Sequence, residues 1–139
     1  MTTKELKNII TDLKQNFDKD ERKEIIENMQ NEETDFEVAD YRFIHKDNID
    51  EILKDELLSD EYMLGCFSAC FIADITGLDY NIVEKAQKAE NFELLGALMA
   101  QKIDDVVDGF ISNDGYGHHF GHYDGTEYET GEYYYFRIN

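Results

Sequence analysis

Apolar residues recur at helical spacing along most of this chain, and after Phe110 that period stops. Leu6, Ile9, Ile10, Leu13 and Phe17 form one stripe, and Ile25, Ile26 and Met29 form a second beyond the charged turn Asp18 to Asp20. Ile49, Ile52, Leu53 and Leu57 make a third, with Asp47 or Asn48 placed to cap it. From Ser112 onward Gly, Tyr and His dominate, and Asp124-Gly125 and Thr130-Gly131 carry turn signals. The change of pattern predicts an α+β fold: a helical body of five to six helices with a small C-terminal antiparallel β-sheet.

Within that frame, Phe36 to His45 reads as one strand. Residues Glu61 to Thr76, capped by Ser59 or Asp60, are apolar nearly all round and read as one buried central helix ending at Gly77, with Cys66 and Cys70 as small buried thiols. Asp79 starts a shorter helix, and Asn91 caps a long one running to Phe110. In the tail, Tyr116 to Tyr123, Glu127 to Glu129, and Glu132 to Ile138 read as three strands of a β-meander. At 139 residues the chain fits one compact domain, in which an N-terminal helical pair, 1–35, precedes an α+β core, 36–139. The pair either packs on the core or projects as a partner-binding arm.

Charge narrows the choice of partner. There are 13 Lys plus Arg against 32 Asp plus Glu, a net charge of -19. Such a surface repels DNA, RNA and anionic membranes, so the natural electrostatic partner is a basic protein. A globule of this length is about 35 Å across, and duplex DNA of that length carries roughly 20 phosphate charges. The chain thus carries about the charge of the DNA it would displace. With 42% hydrophobic and 13% aromatic residues, it is too apolar for a disordered acidic tail. Neither a signal core nor a stretch long enough to span a bilayer stands out, and the two cysteines form no disulfide framework, which together suggest the cytoplasm.

Several motifs fall short of a chemistry. His118, His119 and His122, near Asp114 and Asp124, supply metal-ligand types, but on a strand at most two of the three histidines share a face. A metal-dependent enzyme built on them is therefore the third choice, and no cofactor is expected. Gly115, Gly117 and Gly121 follow a helix instead of a strand and lack the ending of a phosphate loop. Phe71 to Gln87 resembles a helix-turn-helix, with Ile72-Ala73, Gly77 and Val83 where that motif places its small, turn and core residues. The resemblance covers under 20 residues, and Asp79 to Lys88 carries no arginine for reading bases.

The acidic residues carry the signal that remains. No Lys or Arg occurs between Lys102 and Arg137, an interval holding Asp104, Asp105, Asp108, Asp114, Asp124, Glu127, Glu129 and Glu132. Carboxylates one helical turn apart, such as Asp104 and Asp108, lie about 6 Å apart along the axis, and alternate strand positions such as Glu127 and Glu129 lie about 7 Å apart. Tyr116, Tyr123, Tyr128, Tyr133, Tyr134 and Tyr135 offer amphipathic contact area beside them, suited to an arginine-rich partner.

A small, proline-free, strongly acidic α+β chain of this kind resembles the anti-restriction and anti-CRISPR proteins of phages and mobile elements, many of which imitate DNA. The tail Asp114-Gly-Tyr-Gly-His-His-Phe-Gly-His-Tyr-Asp-Gly125 is similar to that of prophage proteins. The resemblance implies inhibition of a bacterial defence nuclease by occupation of its nucleic-acid groove, with no catalysis. The expected binding residues are the eight carboxylates with Tyr123 and Tyr128. A second reading is an acidic adaptor or antitoxin-like module that binds a basic host protein through the arm Thr3 to Met29.

Overall fold

The computed structural model describes all residues, Met1–Asn139. In chain order the elements are α1 (Thr3–Leu13), α2 (Lys19–Gln30), β1 (Asp35–Val38), β2 (Tyr41–His45), α3 (Ile49–Leu58), α4 (Glu61–Gly65), α5 (Ala69–Thr76), α6 (Tyr80–Lys88), α7 (Phe92–Ala100), α8 (Ile103–Asp114), α9 (Gly117–Phe120), β3 (Tyr128–Thr130) and β4 (Tyr133–Arg137). The fold is α+β with a small antiparallel sheet, as the change of periodicity predicts. Its nine helices exceed the five or six expected because two predicted helices are each broken in two and a short helix, α9, stands where a strand is expected. No helix is long and apolar enough to cross a membrane. Two compact units form, Met1–Ile49 with Asp114–Asn139, and Asp50–Asn113.

The first unit is a four-stranded antiparallel sheet in the order β1-β2-β4-β3, so β4 inserts beside β2 and unites chain segments ninety residues apart in register Phe43↔Tyr135 and Ile44↔Tyr134. One sheet face carries an aromatic layer: Phe36 stacks on Phe43, Phe43 on Tyr135, and Tyr135 on Tyr128, at 4.9–5.0 Å between ring centroids. Over this layer lie Ile9 and Leu13 of α1, Phe17, and Ile25 and Met29 of α2, all buried with it in one core. Both helices start on capping boxes, Thr2 with Glu5 and Asp18 with Glu21, which satisfy first-turn N–H groups and fix where each helix begins. The helical pair is thus part of the sheet's core, and its apolar stripe is not on offer as an arm.

On the other sheet face Phe120 packs on Phe136 at 5.3 Å, Tyr116 on Tyr134 at 5.3 Å, and the Arg42 guanidinium sits 5.1 Å from the Phe120 ring centre. Here the expected strand Tyr116 to Tyr123 is instead α9 and a following turn. Gly117 accounts for the difference: a Cβ there would fall 2.1 Å from the Gly125 carbonyl oxygen, so the backbones close on each other. Gly121 N–H donates to the Gly117 carbonyl and Gly125 N–H to the Gly121 carbonyl, each at 2.8 Å, winding the segment inward. The expected strand Phe36 to His45 is a hairpin, β1 and β2, turned at Ala39 with φ +53° and Asp40. Neither residue advertises a turn the way Asn-Gly does.

In the second unit the expected central helix Glu61 to Thr76 breaks after Gly65. Ser68 caps α5 by accepting from the Phe71 N–H, and Gln87 of α6 donates to the freed carbonyls of Gly65 and Phe67 at 3.2 and 2.7 Å. The break turns Cys66 and Cys70 outward, so they are exposed thiols and not the buried pair expected. The expected long helix Asn91 to Phe110 breaks at Gln101-Lys102, where Lys102 N–H donates to Met99 and Lys102 C=O starts α8. Gly77, at φ +77°, ends α5, and Asp79 caps α6 by accepting from the Asn81 N–H. Ile72 of α5 and Val83 of α6 are buried on either side of this glycine turn.

Candidate protein-binding acidic surface

Both units are acidic in their own right. The first holds 18 Asp plus Glu against 9 Lys plus Arg, net -9, and the second 14 against 4, net -10. The excess therefore belongs to the whole chain, and the interval from Lys102 to Arg137 is only where it is unrelieved along the sequence.

Asp104, Asp105 and Asp108 lie on α8 in the second unit. Ile103, Val106, Val107 and Phe110 turn the opposite side of this helix into the core, which leaves all three carboxylates exposed on a fixed element. Asp104 is not alone there: Lys54 of α3 reaches it, Nζ to Oδ1, at 3.2 Å. The hydrogen bond to Asp104 and its charge, then the charges of Glu51 and Asp55, hold the Lys54 ammonium above its ordinary range. One lysine therefore sits among three carboxylates, and Glu51 and Asp55 of α3 join the acidic surface.

Asp114, Asp124, Glu127, Glu129 and Glu132 belong to the first unit and are likewise exposed. Glu129, in β3, pairs with Lys46, whose ammonium lies 5.3 Å from the Tyr134 ring centre. The bond to Glu129 and its charge, with Tyr134 and Glu132 adding less, raise the Lys46 pKa. Asp124 accepts from the Thr126 N–H at 3.0 Å, an Asx turn that fixes its carboxylate at a loop tip. Although Glu127 is exposed as a residue, its Oε2 turns back toward Gly115. Desolvation first, and the Glu129 charge second, push its carboxyl above the ordinary range.

The tyrosines divide sharply. Tyr123 is 59% exposed and carries the Arg137 guanidinium 3.9 Å from its ring centre. Tyr128 is half-buried against Tyr135, and Tyr133 and Tyr135 are core residues, so these three pack the sheet and none stands out from the surface as Tyr123 does. Strand alternation was the missed signal: Tyr133 and Tyr135 share the face that the N-terminal helices cover.

His118 and His119 lie on α9 and His122 just beyond it, with His119 edge-on to Phe120. Nowhere in the chain do three His, Cys, Asp or Glu side chains stand together as a ligand set. On α6, Lys88 is tied to Glu84 at 3.0 Å and points to no base-reading array.

Searches with this chain against protein-family models, curated proteins and solved structures return no match.

Proposed function

We propose that this protein is a stoichiometric inhibitor of a nucleic-acid-binding bacterial defence enzyme, a CRISPR effector or a restriction system, whose basic groove it fills as an acidic mimic. The observation that carries the reading is the outer side of α8. Asp104, Asp105 and Asp108 are exposed there while the inner side is buried, so their spacing is set by the helix and not by a flexible tail. Asp104 and Asp108, one helical turn apart, are about 6 Å apart along the axis, a spacing like that between successive phosphates on a nucleic-acid strand. Asp124, Glu127, Glu129 and Glu132 add a second acidic array, with Tyr123 beside it as exposed aromatic area. Chemistry of this kind needs no cofactor and works in the bacterial cytoplasm, where such enzymes act.

Opposite charge on the partner speeds encounter, and the association weakens as salt screens it. The test is inhibition of a panel of restriction endonucleases and CRISPR effectors by the wild-type protein and by Asp104→Lys/Asp105→Lys/Asp108→Lys. Cleavage by at least one enzyme should stop at one inhibitor per enzyme, and the charge-reversed variant should be inert while melting as wild type does. A panel cut normally, or full inhibition by the variant, removes the reading.

A further inference from the structure

A groove of about 700 Å³ opens in the first unit between the start of α1, the end of α2 and the β3–β4 turn. Its size falls in the range of small-ligand sites. Ile9, Met29 and Tyr133, each at least 95% buried, make the floor. Glu5, Glu32 and Glu132 stand around it, and no Lys or Arg side chain lines it.

These carboxylates are held in different ways. Glu5 uses Oε2 to accept from the Thr2 N–H in the α1 capping box, which anchors it and leaves its other oxygen available. Glu32 is set by a left-handed backbone, φ +60°, just beyond α2. Glu132 sits in the tight turn between β3 and β4, where its carbonyl accepts from the Lys46 N–H. The phenol of Tyr133 is already satisfied, donating to the Glu33 carbonyl at 2.6 Å, so the ring serves the floor as an apolar and π surface. His45 lies edge-on to that ring and accepts the Asp47 N–H on Nδ1, which leaves Nε2 as the protonated nitrogen of the neutral ring.

An apolar, aromatic floor under a ring of carboxylates is complementary to a long aliphatic stem that ends in a cation. We propose that this groove receives an arginine side chain presented by the protein's basic partner, with the stem over Ile9, Met29 and Tyr133 and the guanidinium among Glu5, Glu32 and Glu132. Guanidinium is favoured over ammonium because its planar fork meets two carboxylates at once and stacks on an aromatic face. The proposal rests on the partner being basic, as the inhibitor reading has it, and it supplies that surface with a specific anchor.

The direct test titrates the full chain with a capped glycine-arginine-glycine peptide and follows backbone and side-chain NMR signals. Lysine and citrulline peptides serve as comparisons, citrulline being the neutral isostere of arginine. Saturable shifts should centre on Ile9, His45, Gly131 and Tyr133, and the citrulline peptide should bind about tenfold more weakly or not at all, as loss of a charge-assisted pair requires. Glu5→Gln/Glu32→Gln/Glu132→Gln should lose about the same factor, and Gln30→Trp, which fills the mouth without changing charge, should block the site. Equal binding of citrulline, or shifts spread over the acidic surface with the groove silent, overturns the proposal. If a nuclease is inhibited and neither variant weakens that inhibition, the groove proposal falls and mimicry stands. If arginine binds the groove and no nuclease is inhibited, the groove stands and mimicry falls.

Discussion

Gly65 and Gly96 meet where α4 packs on α7, each lying against backbone of the other helix so closely that a side chain would not fit. A Cβ on Gly96 would lie 1.8 Å from the Glu61 carbonyl oxygen, and one on Gly65 would lie 2.0 Å from that of Phe92 and 3.0 Å from the Gly96 nitrogen. Both obstacles are backbone, which cannot rotate away. The contact holds the short α4 against α7, and the apolar run of residues 61–76 turns at Cys66.

Gly96→Ala should therefore cost about 3 kcal/mol, the upper part of the range for overpacking, even though alanine favours helix by about 1 kcal/mol. Gly109→Ala is the control, because its Cβ would meet the Phe71 ring, at 2.8 Å, and a side chain can shift. Urea unfolding of both variants checks the order: Gly96→Ala is the more destabilised.

Much of the fold was legible. The stripe from Ile9 to Phe17 marks the face that reaches the sheet, and Gly77 and Asp79 mark one helix end and the next beginning. Ser68 was hidden because one polar residue in an apolar run looks like a solvent-facing position, when it is a cap supported by Gln87 from another helix. Tyr116 and Phe120 are four residues apart, a helical spacing that the surrounding glycines and Tyr123 disguised as a strand. In the candidate site, the stripe Ile103, Val106, Val107 and Phe110 already implied exposed Asp104, Asp105 and Asp108. The pairing of Asp104 with Lys54 and Glu129 with Lys46 was not readable, since the partners lie far apart in sequence and meet only through tertiary packing.

The core tyrosines contribute stability that is lost at alkaline pH. Burial raises the pKa of Tyr41, Tyr133 and Tyr135 above the usual value, with the Asn16 hydrogen bond opposing it at Tyr135. Because the folded pKa is raised, the native state keeps protons the unfolded chain has lost. This contribution is full below about pH 10 and is lost as pH rises through the folded pKa values. The unfolding free energy should fall above about pH 10, and an ultraviolet phenolate titration should show these three tyrosines ionising above the usual tyrosine range.

Asn16 bridges two of those rings. Tyr41 Oη donates to its Oδ1 and its Nδ2 donates to Tyr135 Oη, both at 3.3 Å. Asn16→Ala should cost about 1–2 kcal/mol by chemical denaturation, the range for removing a partner of part-buried polar groups. It should also raise the Tyr135 pKa further, since the bond it removes is the one that lowers it.

Glu90 sits at φ +60° after α6, a conformation that costs a residue with a Cβ about 1–2 kcal/mol. Glu90→Gly should raise stability by about 0.5–1 kcal/mol, glycine's larger chain entropy taking back part of the gain. The melting temperature of the variant against wild type checks the sign.

Mimicry and mere acidity part company on whether the bound enzyme can still hold DNA. The direct measurement is fluorescence anisotropy of a labelled duplex on the inhibited nuclease as this protein is titrated in, at about 0.05 and about 0.3 M NaCl. One-to-one release of the duplex is expected, reversed by a higher concentration of labelled duplex, with affinity falling steeply at the higher salt and abolished by Asp104→Lys/Asp105→Lys/Asp108→Lys. A ternary complex in which the duplex stays bound while cleavage stops would contradict it.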